Sequence, residues 1–127
     1  MERRGQKHHR ERLAEALREE IATLLEGELG DPRIGLVNVS ELQLAADARS
    51  ARVFVVVEGN PQEAARTMEA LHSASGFVRR ELAERLHLRR APELFFQLDR
   101  SPQLEARLEE LLSRARKRTP AGDKRRS

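Results

Sequence analysis

Leu13, Leu17, Ile21, Leu24 and Leu25 recur at steps of four, four, three and one, which places them on one stripe of an amphipathic helix from Glu11 to about Leu29. Glu15, Arg18, Glu19 and Glu26 lie on the opposite side. Gly30-Asp31-Pro32 stops the helix, because glycine suits a left-handed cap and proline cannot continue the hydrogen-bond ladder. The period then becomes two. Across residues 34–44, Val37 and Val39 share one alternating frame and Leu42 and Leu44 the other, so a bulge is expected near Ser40 and Glu41. A polar turn from Ala46 to Ser50 leads into a second strand, Ala51 to Glu58, whose valine run predicts a central position buried on both faces and antiparallel pairing with the first. Gly59-Asn60-Pro61 ends that strand, and Pro61 suits the first turn of a helix over Gln62 to about His72.

A helical apolar pattern also runs from Leu71 to Leu82, but Ser73-Ala74-Ser75-Gly76 puts small, weak helix formers in its middle. This predicts two helices meeting at a kink, the second carrying Val78, Leu82 and Leu86 and ending near Leu88–Pro92. Leu94 to Leu98 reads as a third strand, and Ser101 opens a last helix with Leu104, Leu108, Leu111 and Leu112. The order helix, strand, strand, helix, kinked helix, strand, helix defines an α+β fold in which helices cover one face of a three-stranded sheet.

Charge divides the chain differently from its net value of +3. Residues 1–12 carry five Lys/Arg against two acids, residues 13–113 carry 12 against 18, and residues 114–127 carry seven against one. An acidic body between basic ends fits ends that lie on a polyanion, since phosphate binding follows local cations and not the net charge. The expected organisation is a basic arm over 1–10, one domain over 11–112 and a basic, disordered tail over 113–127. No apolar run is long enough for a membrane span, the first residues lack a signal-peptide core, and there is no cysteine, so a cytoplasmic protein is expected. His8 and His9 adjoin, while His72 and His87 are isolated, so no pair has helical metal-ligand spacing; no metal and no cofactor is expected. Ser73 and Ser75 lack a nucleophile elbow and a base, so catalysis is not expected.

Three segments, in order, resemble the ribosome-binding factor A family of bacterial small-subunit assembly factors, with the match running from about Arg12 to Leu112. They are Leu29-Gly30-Asp31-Pro32-Arg33-Ile34-Gly35, Ser73-Ala74-Ser75-Gly76-Phe77-Val78-Arg79-Arg80-Glu81-Leu82 and Arg89-Arg90-Ala91-Pro92-Glu93-Leu94-Phe95-Phe96. The resemblance implies a type II KH-like domain in which the usual Gly-x-x-Gly is replaced by an Ala-x-Gly kink, here Ala74-Ser75-Gly76. It also implies binding of 16S ribosomal RNA in the free, immature 30S subunit, a part in late maturation of that RNA and in growth at low temperature, and no catalysis. A monomer is expected when free. Gly27-Glu28-Leu29-Gly30 also matches Gly-x-x-Gly, but its acids and the strand that follows mark it as a helix end.

The candidate RNA contacts follow from the kink and the arginines. Ala74, Ser75 and Gly76 would let an RNA backbone approach, with the free N–H groups of a new helix start beneath it. Arg79 and Arg80, in that helix's first turn, would oppose its dipole by about 0.3–1 kcal/mol each unless phosphate relieved them. Arg85, Arg89 and Arg90 extend the positive surface to the far end of the helix, and Arg3, Arg4, Lys7, Arg10 and Arg12 extend it along the N-terminal arm. Arg18 has acidic neighbours that can pair with it. Three of the four phenylalanines, Phe54, Phe95 and Phe96, fall in strands where core packing is the default, so base stacking is poorly supplied and contact should be with phosphate. Two alternatives stay open: a protein-interaction module whose acidic body docks a partner, and a KH protein acting on another RNA.

Overall fold

The computed structural model describes residues 4–28, 34 and 36–118. Helix α1 (Arg4–Thr23) carries the leucine stripe as expected, with Leu17 and Ile21 fully buried, and continues into a π-helical turn, Leu24–Glu28, that buries Leu24 and Leu25. It starts at Arg4 and not at Glu11, so the residues read as the end of a basic arm are helical. The apolar stripe begins only at Leu13, so no periodic signal marks the helix before it.

Strands β1 (Val37–Leu44) and β2 (Ser50–Val57) pair antiparallel, and the register slips between Val39 and Glu41, where the change of frame predicted a bulge. Strand β3 (Glu93–Leu98) pairs parallel to β2, giving the order β1-β2-β3. A parallel neighbour requires a crossover, and helix α2 (Pro61–Arg85) supplies it. Helix α1 lies against β1 and α2 against β3, so both cover the face of β2 that buries Ala51, Val53, Val55 and Val57. The expectation that β2 is buried on both sides is wrong: Arg52 is exposed and Phe54 and Val56 are half-buried, because α1 and α2, the helices that pack on the sheet, share the first face.

Helix α2 begins as its sequence requires. Gly59 turns the chain at φ 117°, Asn60 caps the helix by accepting from the Glu63 N–H (2.8 Å), and Glu63 accepts from the Asn60 N–H (2.8 Å). The expected division into two helices is not found. The helix is one run of 25 residues through Ala74-Ser75-Gly76, and the Ser75 hydroxyl donates to the His72 carbonyl (2.9 Å). Two serines and a glycine cost a helix about 2 kcal/mol relative to alanine. Burying Leu71, Val78 and Leu82 outweighs that, at roughly 1.5–3 kcal/mol each.

Helix α3 (Ser101–Arg118) runs past the expected end of the domain, and its Leu104, Leu108, Leu111 and Leu112 are 44–61% exposed. Its start is tied down. Asp99 accepts from the Ser40 hydroxyl (2.6 Å) and from the Ser101 N–H (2.9 Å), and these bonds hold its carboxyl below the usual carboxylate range. Truncation after Arg100 should therefore leave the thermal unfolding midpoint within about 2–3 °C of the full chain, measured by circular dichroism at 222 nm. A loss of 10 °C or so would mean that α3 packs on the domain.

No helix among the described residues is long and apolar enough to cross a membrane.

Candidate nucleic-acid interface

Five of the sequence-derived arginines lie on the second half of α2 and the segment that leaves it. Leu86 caps the helix, His87 adopts φ 53°, and the Leu88 N–H reaches back to the Ala83 carbonyl (2.8 Å) while that of His87 reaches Glu84 (3.4 Å). This is the glycine-type helix stop with a histidine in the left-handed position. It reverses the chain, so that Arg89-Arg90-Ala91 passes back alongside the helix before entering β3. Here the Arg79 guanidinium donates from Nη2 to the Ala91 carbonyl (3.1 Å).

That bond changes the role of Arg79. Because α2 is continuous, Arg79 and Arg80 are not in a first turn, no free N–H groups lie beneath Ala74-Ser75-Gly76, and no dipole penalty calls for a phosphate. Arg79 is half-buried and braces the chain at Ala91, and its Nε is buried without a hydrogen-bond partner among the described residues. Its replacement by alanine would leave the buried Ala91 carbonyl unpaired. The expected cost is about 1–3 kcal/mol of unfolding free energy, with the salt dependence of RNA binding retained; urea denaturation and a salt titration measure the two.

The remaining arginines divide by partner. Arg85 is held between Glu81 (3.3 Å) and Glu20 (3.5 Å), which ties α2 to α1 and removes it from the free cations. Arg80, Arg89 and Arg90 are exposed and have no ion pair among the described residues. The Arg79 brace holds the chain to α2 just after the last two. Gly76 is exposed one turn before Arg80; a Cβ there would meet only Arg80 Nη1, at 3.7 Å.

The N-terminal candidates are less coherent. Arg3 and the side chains of Arg4 and Lys7 lie outside the described residues, as do Leu29–Arg33 and Gly35 of the first family segment and residues 119–127 of the tail. Arg10 is half-buried and engaged, while Arg12 is exposed on α1. Arg18 is paired with Glu15 as expected, and its guanidinium holds the Glu15 carboxyl below the ordinary carboxylate range. No group of three or more potential metal ligands occurs among the described residues.

The phenylalanines overturn one expectation. Phe96 is buried, but Phe95 in β3 is 47% exposed, Phe54 is half-buried, and Phe77, beside Gly76 on α2, is 41% exposed. Alternation could have warned of Phe95, since Leu94 and Phe96 claim the inward frame. On α2 the stripe Leu71, Ala74, Val78, Leu82 leaves position 77 off the core face.

Comparison with known proteins gives this surface a context. The family model for ribosome-binding factor A matches residues 9–112. Ribosome-binding factor A of Koribacter versatilis is 58% identical over 118 residues, covering 93% of this chain and 96% of the relative. The crystal structure of ribosome-binding factor A from Thermus thermophilus superposes with a TM-score of 0.62 at 28% identity, over 71% of this chain and 94% of that one. A homology model of the Thermus thermophilus factor, fitted into the cryo-EM map of its complex with the 30S subunit, is similar at a TM-score of 0.52 and 32% identity, over 71% and 90% of the two chains.

Proposed function

The chain belongs to the ribosome-binding factor A family, and from that membership we propose that it is a non-enzymatic assembly factor which binds 16S ribosomal RNA in the immature 30S subunit. It assists late maturation and processing of that RNA in the cytoplasm, low-temperature growth included. The observation that supports this reading is the group Arg80, Arg89 and Arg90, exposed and without carboxylate partners among the described residues, in a body that is otherwise net acidic. Such cations bind phosphate through counterion release, which needs no positive net charge. Binding alone does not alter an RNA-folding equilibrium. The factor shifts it only by its difference in affinity between two conformers, so it binds immature subunits more tightly than mature ones. Sedimentation of the full chain with each purified particle tests this, and equal affinities would defeat the proposal.

The exposed leucines of α3 favour a second reading, a protein-interaction module that docks a partner through an apolar helix face. Salt separates the two. Phosphate-driven binding weakens steeply between 50 and 200 mM salt, by about 10³-fold or more for six contacts, whereas docking of an apolar face does not.

A further inference from the structure

A single exposed aromatic residue is ordinary on a protein surface. The surroundings of Phe77 are not. The residue is 41% exposed on the flank of the helix, about a quarter-turn from the core stripe. Along its own face, one turn before it, stands Ser73, which is exposed and short. Next to it is Gly76, where a side chain would meet nothing within ordinary contact except the end of Arg80, so the helix surface there is flat and open. Arg80 follows at i+3, exposed and without an ion pair among the described residues. Glu81, the acid that would repel a polyanion at i+4, is occupied by Arg85 (3.3 Å). An apolar ring, a side-chain gap beside it and a free guanidinium one turn on are the parts of a site for one nucleotide, with a planar base on the ring and its phosphate on the cation. Phe95 lacks this setting. On its strand face it has Glu93 on one side and Gln97 on the other, with Arg52 opposite.

We propose that Phe77 is a stacking platform for an unpaired nucleobase of single-stranded RNA, with Arg80 holding the adjacent phosphate. The inference rests on the RNA-binding reading of this surface and adds to it: contact here includes a base, so the site prefers single-stranded RNA to a duplex, whose bases are stacked on one another and whose backbone offers phosphate alone.

The test uses the full chain, a fluorescently labelled unstructured oligoribonucleotide of about ten nucleotides, and a duplex with the same number of phosphates. Phe77→Leu keeps an apolar side chain on the helix but removes the aromatic face. It should weaken binding to the single strand about tenfold, leave duplex binding unchanged and leave the salt slope as in the wild type. Phe77→Trp should retain single-strand affinity, and because the chain otherwise has no tryptophan, its emission reports the contact directly: quenched by the single strand, unchanged by the duplex. Wild-type affinity in Phe77→Leu, equal loss on both RNAs, or an unquenched tryptophan would each overturn the proposal. Failure of the underlying reading looks different. In that case replacing Arg80, Arg89 and Arg90 would leave binding to immature subunits unaltered, whatever Phe77 does.

Discussion

Replacing Arg80, Arg89 and Arg90 together by alanine is expected to lower the slope of log affinity against log salt by about two to three units for immature small subunits. The expectation follows from their shared situation. Each guanidinium is exposed and lacks an ion pair among the described residues, so each can displace a counterion from a phosphate. Near 50 mM salt, loss of three such contacts reduces affinity at least tenfold, and the deficit narrows as salt rises, because the wild type loses more of its affinity to screening. The fold should survive, since none of the three lies in the core. Arg85→Ala is the informative contrast. It breaks the link from Glu81 to Glu20, lowers stability slightly and has little effect on the slope. Binding to subunits that is unaffected by the triple change would move the RNA contact elsewhere on the molecule.

The largest stability effect is expected at Leu82. It is fully buried on α2 where the helix covers the sheet, in the cluster that includes Val53, Val55, Leu71, Val78 and Phe96. Leu82→Ala removes the transfer free energy of the side chain and leaves a cavity that surrounding strands cannot close, at a cost of about 3–4 kcal/mol. Against a total of about 5–15 kcal/mol for a domain, that is a large fraction. It corresponds to a fall of roughly 10–25 °C in the unfolding midpoint for a domain of this size, read by calorimetry. Leu82→Met, which nearly conserves volume, should cost less than about 1.5 kcal/mol. If the alanine variant melted within 3 °C or so of wild type, α2 would not be integral to the core at this point.

Much of the fold is legible in the sequence because it follows from local rules. The stripe from Leu13 to Leu25, the frame change at Ser40, and Gly59-Asn60-Pro61 each encode an element through its own period or cap: the stripe lies in α1 and its π-helical turn, the bulge falls at the frame change, and α2 starts at Pro61, although the far bounds of both helices differ. The supposed break at Ala74-Ser75-Gly76 shows the limit of such reading. Propensity argues for interruption, but Leu71, Ala74, Val78 and Leu82 keep one helical phase across it, and burial of that stripe outweighs the weak formers. The preserved phase was the better signal. The burial of β2 is not legible for the opposite reason: a valine run shows that a strand is apolar, but whether one or two layers cover it depends on where α3 goes after Asp99.

The functional surface divides in the same way. Composition and motif are properties of the chain itself, and they establish which residue types are available: an acidic body, arginines concentrated after residue 78, and three segments similar to one family. The i, i+4 spacing of Glu81 and Arg85 already pairs those two, but which of the other arginines are free is settled only once the chain is folded. Arg79 turns inward to the Ala91 carbonyl and Arg85 to two carboxylates, while Arg80, Arg89 and Arg90 remain in solvent. Hydrogen bonds and ion pairs between residues 12 or more apart depend on how the chain returns past α2, and no local pattern specifies that path.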